Sequence, residues 1–278
     1  MQRGPFLFGC RGRFGRLSVA TPAGSHRFKA ALISGVGTVS WSGKVLRWSF
    51  GSTSKPLPAV RFLQRQAGVN PKAVGIYGHS QGGTISPLIA SRPGAVAFVI
   101  AAAAIGTGQL YTQDLYRTRN YLLDIGLTDP DLSHAMEFYT LWINTVRTGR
   151  GIDEYEEALA KARQEKWFAT LGIPPRDHWL WKWYPPIGNL DPLPYWEKVR
   201  VPVLLIYGEL DRNTPVGPSL AGIGRALDAA GNPDVTPIII PGAVHNLTIQ
   251  PEKGQPFFWW HAAPGYKDLL IAWVRARF

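Results

Sequence analysis

The sequence predicts an α/β fold, a mostly parallel β-sheet with flanking helices and a helical insertion, and three observations carry that prediction. Short apolar runs with β-branched residues stand among Gly and Pro punctuation: Ala73 to His79 (AVGIYGH), Val96 to Ala102 (VAFVIAA), Val201 to Tyr207 (VPVLLIY) and Thr236 to Ile240 (TPIII). Strands buried on both faces of a parallel sheet read this way. Helical patterns fall between them: Ala59 to Gln66 closes near Gly68 and an Asn70-Pro71 turn, and Ser219 to Ala230 closes at Gly231. This alternation argues for right-handed crossovers rather than an all-α or all-β chain. The third observation is the middle of the chain, which carries little strand signal but recurrent helical patterns at Tyr111 to Leu127, Asp131 to Arg147 and Asp153 to Leu171.

The expected organisation is therefore core, insertion, core. Residues 1–110 form the first part of the core, with 1–55 atypical; residues 111–194 form a helical cap; residues 195–278 complete the core. Five of the eleven tryptophans (Trp167, Trp179, Trp181, Trp183, Trp196) fall beside a Pro-rich stretch. They are read first as the cap's own packing, since aromatic area is how a small subdomain builds a core, and second as an apolar substrate wall. A final helix is expected over Tyr266 to Phe278, with Leu269, Leu270 and Trp273 near one face.

Composition narrows the classes. The 278 residues suffice for a sizeable core, and 45% hydrophobic with 18% charged residues are globular values. No apolar run reaches the roughly 18 residues of a membrane-spanning helix, and no repeat is visible. The single cysteine, Cys10, excludes an internal disulfide and any Cys-based zinc cluster. A cytoplasmic location is the expectation; oligomeric state is not readable.

The net charge of +11 suggests nucleic acid or an anionic surface until its distribution is examined. Residues 1–113 hold 13 Lys or Arg and no acid, whereas the remainder holds 17 basic and 19 acidic residues. The excess is N-terminal, in a Gly-rich stretch without a nucleic-acid motif. Its composition is similar to a transit peptide, but Arg11 to Arg16 lacks helical amphipathicity and Pro5 to Phe8 is too short for a signal-peptide core. An atypical N-terminus is the plainer reading, and no nucleic-acid partner is expected.

The sharpest chemical signal is Gly78-His79-Ser80-Gln81-Gly82, a serine between two glycines at the end of an expected strand and the start of a helix. A nucleophile exposed on such a turn needs small neighbours so that strand and helix can pass closely. The Gln81 N–H, at the helix N-terminus, is a candidate oxyanion donor. A serine needs a base, and the base needs a group that fixes its tautomer. Asp211 follows the strand Val201 to Tyr207, and His245 follows the next one in Pro241-Gly242-Ala243-Val244-His245, so all three groups sit where strands end. Glu209 is the competing acid, two residues from Asp211. Among the other histidines, His79 is expected to pack beside the nucleophile, His26 and His134 lie away from the right strand ends, His178 falls in the cap, and His261 is a late rival to His245.

At these residues the chain resembles the α/β-hydrolase superfamily, in particular its esterase and serine-aminopeptidase-like members with GHSQGG elbows. The blocks that carry the resemblance are Gly75 to Gly83 with Ser86-Pro87-Leu88, Val201 to Asp211, and Pro241 to His245, within residues 57–110 and 194–278. The resemblance implies a Ser80, Asp211, His245 triad with Gln81 as oxyanion donor, a helical cap over the site, and no metal or organic cofactor. The family's opening, a His-Gly oxyanion loop and then an Asp-x-Arg-Gly-x-Gly turn, is not intact. Ala31 to Gly37 stands about where the second block belongs, and Phe8-Gly9 replaces the first without its His. Residues 1–55 are therefore read as a truncated or misread substitute, and the second oxyanion donor is unassigned.

The expected function is hydrolysis of a small-molecule carboxylic ester through an acyl-enzyme. An aminopeptidase or acyl-peptide hydrolase with the same triad is the alternative, for which Glu137, Glu154 and Glu156 are the carboxylates that could grip a substrate ammonium. A non-catalytic binding protein on the same fold is the third reading.

Overall fold

The computed structural model describes residues 56–67, 69–249 and 261–278, together with the backbone of three short strands at 31–33, 38–41 and 44–47. The readings placed on Cys10, His26, Phe8-Gly9 and residues 34–37 lie outside the described residues. The chain runs from β1 (Ala31–Ile33) through the antiparallel hairpin of β2 (Thr38–Trp41) and β3 (Lys44–Arg47) to α1 (Pro56–Gln64), then β4 (Ile76–His79). The helices α2 (Gln81–Ile85) and α3 (Pro87–Ala90) lead to β5 (Val99–Ala102) and α4 (Tyr111–Asp124). Next come α5 (Asp131–Thr148), α6 (Ile152–Ala162) and four single-turn helices: α7 (Phe168–Leu171), α8 (Leu180–Trp183), α9 (Pro185–Gly188) and α10 (Leu193–Trp196). The chain closes with β6 (Val203–Gly208), α11 (Val216–Ala229), β7 (Val235–Ile240), the short pair β8 (Thr248–Ile249) and β9 (His261–Ala262), and α12 (Tyr266–Arg275).

Five strands form one parallel sheet in the order β1-β4-β5-β6-β7. Its register aligns the carboxyl ends: Ile33 faces Gly78, His79 faces Ala102, Ala102 faces Ile206, and Gly208 faces Ile240. Pairing continues one residue past the strands through Ser80 N–H to Ala102 O (2.8 Å) and Glu209 N–H to Ile240 O (3.0 Å). The loops after β4, β6 and β7 therefore leave from one edge of the sheet, which is what brings distant residues together.

Period-two alternation distributes the apolar side chains. Val99, Ala101, Val203 and Leu205 pack on one face with Val60 and Leu63 of α1, Ile89 of α3, Trp196 of α10, and Ile223 and Leu227 of α11. Ile100, Ala102, Leu204 and Ile206 pack on the other with Phe98, Leu247 and Trp273 of α12. Two buried faces explain why β5 and β6 read as unbroken apolar runs. Strand β7 tolerates Pro237, which has no N–H for a further neighbour, because among the described residues it is an edge of the sheet. Helix α12 is tied to the same edge by a bidentate pair, Arg277 to Asp234 at 2.6 and 2.7 Å, with the guanidinium 4.2 Å above the Trp273 ring.

Residues Thr118–Pro186 form a compact unit of their own. Its core is aromatic: Phe138 of α5 lies 6.1 Å from Tyr155, 6.1 Å from Trp167 and 5.7 Å from Phe168, and Tyr155 lies 5.5 Å from Trp181. Helix α5 begins with Asp131 and ends at Gly149, which takes the left-handed conformation (φ 69°) that closes helices. The expected continuous helix over 153–171 is instead two. The chain turns after Ala162 and α7 starts at Phe168, with Trp167 and Phe168 both set against Phe138. The tryptophans also divide: Trp167 is buried here, Trp196 is buried in the sheet's core, and Trp179 is 57% exposed.

Two strands begin three residues later than their apolar runs. β4 begins at Ile76 rather than Ala73, because Pro71–Ala73 form a 3-10 turn capped by the Asn70 side chain on Lys72 N–H at 3.0 Å. β5 begins at Val99 rather than Val96. Among the described residues no helix is long and apolar enough to cross a membrane.

Candidate active site

Gly78 and Gly83 make the turn after β4 possible. A Cβ on Gly78 would overlap the Gly82 carbonyl group and stand 2.6 Å from Gly83 N; one on Gly83 would stand 3.0 Å from Ala102 O. With both absent, α2 starts directly above β4 and Ser80 caps it at φ 55°, ψ −121°. That conformation is unfavourable for any residue with a Cβ and holds the side chain out of the strand. Thr84 fixes the turn from below: its hydroxyl donates to Ser80 O (3.2 Å) and accepts from Ile105 N–H (3.1 Å). If the strain resides at Ser80, Ser80→Gly raises the unfolding free energy by about 1 kcal/mol, and urea denaturation against wild type measures it.

Ser80, Asp211 and His245 meet at this edge. Ser80 Oγ lies 2.9 Å from His245 Nε2, and His245 Nδ1 lies 2.9 and 3.1 Å from the two carboxylate oxygens of Asp211. The Asp211 side chain is fully buried and that of His245 is 14% exposed. A buried carboxylate needs donors on its oxygens. Asp211 has them, since its Oδ1 accepts from the N–H groups of Asn213 and Thr214, both at 2.8 Å. With Asp211 as acceptor, the imidazole carries its proton on Nδ1 and presents a free lone pair at Nε2 to the serine hydroxyl. Gln81 is the first residue of α2, so its N–H lies outside the helix's own ladder, beside Ser80.

Three of the rival residues, Glu209, His178 and Glu156, have partners of their own. Glu209 accepts from Gly242 N–H at 2.8 Å and braces two loops instead of reaching the histidine. His134 is exposed on α5, and His178 accepts from Leu180 N–H at 3.3 Å beside Trp179. His261 belongs to β9. Glu156 pairs with Arg176 at 3.4 Å, while Glu137 and Glu154 are exposed on α5 and α6.

Two supporting residues, Thr214 and Gln113, escaped the sequence reading, and so did the hydrogen bond of a third, His79. Thr214 donates its hydroxyl to Ala103 O (3.3 Å) and accepts from the buried Gln113 amide (2.7 Å), which locks the acid's loop to α4. Gln113 and Thr214 have no shared motif, and no sequence signal links them. His79 does more than pack beside the serine. Its Nε2 lies 2.8 Å from the His245 carbonyl, and burial, followed by the neighbouring His245 charge, pulls its pKa down to about 4. Among the described residues no group of three or more His, Cys, Asp or Glu side chains could hold a metal ion.

A parallel sheet that carries a serine on a strained elbow after one strand, then an acid and a histidine after two later strands, is the architecture of the α/β-hydrolases. The chain belongs to the alpha/beta hydrolase family, whose model matches residues 14–254. No curated protein matches the sequence. Similar solved structures include a putative dienelactone hydrolase from Klebsiella pneumoniae (13% identity, 81% of this chain and 62% of that one, TM-score 0.42). An esterase from Pyrococcus furiosus is 15% identical over 73% of this chain and 58% of its own, with a TM-score of 0.39. An acylaminoacyl peptidase from Pyrococcus horikoshii is 17% identical over 68% of this chain, TM-score 0.34, and the chain spans only 22% of its length. None of these likenesses bears on substrate.

Proposed function

We propose that the protein is a serine esterase that cleaves a small carboxylic ester through an acyl-enzyme, with Ser80 as nucleophile, His245 as base and Asp211 as the acid that orients it. The observation that carries this reading is the unbroken relay from Ser80 Oγ to His245 Nε2 (2.9 Å) and from His245 Nδ1 to Asp211 (2.9 Å) on a strained elbow. In the first half-reaction Ser80 Oγ attacks the acyl carbon and its proton passes to His245 Nε2. The imidazolium is stabilised by the Asp211 carboxylate, and the Gln81 N–H receives the oxyanion. Collapse breaks the ester C–O bond, and the leaving alkoxide takes the proton from His245. In the second, water attacks the acyl carbon with His245 as base, and Ser80 regains its proton from His245 as the carboxylic acid departs.

The same triad chemistry serves an aminoacyl substrate, and turnover separates the two readings. The test is labelling by a fluorophosphonate probe, followed by turnover of a p-nitrophenyl ester and an aminoacyl p-nitroanilide. Wild type is expected to label and to prefer the ester; Ser80→Ala is expected to remain folded and do neither. Labelling that survives Ser80→Ala would overturn the assignment, and preference for the anilide would replace the esterase with a peptidase.

A further inference from the structure

We propose that His79 is a positioning residue that holds His245 in place while Ser80 is acylated. The inference rests on the roles of Ser80 and His245 given above. His79 is the last residue of β4, one before the nucleophile, and its ring nitrogen meets the His245 main-chain carbonyl at 2.8 Å. A carbonyl only accepts, so His79 carries its proton on Nε2 and donates it. Strands β5 and β6 lie between β4 and β7 in the sheet, so this bond crosses two strands from the nucleophile's turn to the loop that carries the base. The two imidazoles stand 5.1 Å apart with a 57° tilt, and the His79 ring backs the base as well as holding its backbone.

The consequence differs between the two half-reactions. In the resting site the His245 ring has a partner at each nitrogen, Ser80 Oγ and Asp211. Once Ser80 Oγ becomes the ester oxygen of the acyl-enzyme, it has no proton to donate, and the Nε2 side of the ring is held by nothing but water. Deacylation then depends on the loop itself. That loop is short: Leu247 N–H bonds to Val244 O at 2.8 Å, and Leu247 takes a positive φ of 56°. The His79 bond involves no reacting atom, so it persists through acylation and keeps Nε2 aimed at the acyl carbon. A depressed pKa keeps His79 neutral beside the transient imidazolium, where a second cation would oppose proton uptake by His245.

The experiment compares wild type, His79→Phe, which keeps a ring but has no donor, and His79→Gln, whose amide N–H can reach the same carbonyl. Pre-steady-state hydrolysis of p-nitrophenyl acetate separates the burst of acylation from the deacylation that follows. His79→Phe is expected to retain a stoichiometric burst and to deacylate about 10- to 100-fold more slowly, the loss that follows when a catalytic group shifts by about 1 Å. His79→Gln is expected to recover most of that loss. Equal deacylation rates in wild type and His79→Phe would overturn the proposal, as would a His79→Gln as slow as His79→Phe. A second readout is independent of turnover: the His245 ring resonances in a Ser80→Ala background, where the serine partner is absent by design. A sharp signal that broadens when His79→Phe is added, and sharpens again with His79→Gln, supports the brace; a signal unchanged by His79→Phe refutes it. Wild type that takes no fluorophosphonate label would defeat the esterase reading, and the resonance experiment would still decide this one.

Discussion

Asp211→Asn is expected to lower kcat by about four orders of magnitude while Glu209→Gln changes it only a few-fold, the contrast that a tautomer-setting carboxylate produces. The physical cause lies in the donors around the carboxylate. Asp211 Oδ1 accepts from Asn213 and Thr214 N–H, and both oxygens face His245 Nδ1. An asparagine can keep the two backbone donors on its own carbonyl oxygen, which turns its NH2 group toward His245. The histidine must then put its proton on Nε2, where it opposes the serine hydroxyl instead of accepting from it. Binding and fold are retained, so the loss appears in kcat, and thermal denaturation of the variant stays near wild type. Glu209 acts on the backbone instead, since its carboxylate accepts from Gly242 N–H at 2.8 Å, and a glutamine oxygen can do the same. Steady-state hydrolysis of a p-nitrophenyl ester by the two variants reads the contrast. A large loss in Glu209→Gln with an active Asp211→Asn would exchange their roles.

The same residues show which parts of the molecule were legible in the sequence. Ser80, Asp211 and His245 could be placed because each follows a strand whose apolar run announces it, and parallel register puts such ends on one edge. Loop position favours Asp211 over Glu209 in the sequence, and two residues of loop geometry decide which carboxylate turns inward. Thr214 and Gln113 were invisible for a different reason. Their bond joins positions 101 residues apart, and buried polar pairs of that kind have no period and no composition signal. His79 was placed beside the nucleophile but not recognised as a donor, because its partner is a main-chain carbonyl, which every residue has. The break at 163–167 was not legible because Arg163, Gln164, Glu165 and Lys166 are good helix formers with no Gly or Pro to mark a stop.

Gly78→Ala is expected to cost more than about 3 kcal/mol, the upper range for overpacking, because the added methyl meets backbone rather than a side chain that can swing away. Its Cβ would overlap the Gly82 carbonyl and press Gly83 N at 2.6 Å, in the turn that sets α2 above β4. Relief requires α2 to move outward. That motion would weaken the Thr84 contacts to Ser80 O and Ile105 N–H, and with them the geometry that keeps Ser80 at φ 55°. Gly83→Ala is the graded comparison: its methyl would meet Ala102 O at 3.0 Å and Ala104 Cβ at 3.1 Å, a crowding that small shifts can absorb. Gly94→Ala is the control for backbone strain alone, since Gly94 has φ 69° and nothing within 4 Å of its Cβ position; about 1 kcal/mol is expected there. Urea denaturation of the three variants should therefore rank Gly78 well above Gly83 and Gly94. If Gly78→Ala is as mild as Gly94→Ala, the close passage of strand and helix does not hold the nucleophile. The demand for glycine before Ser80 would then need another cause than sterics.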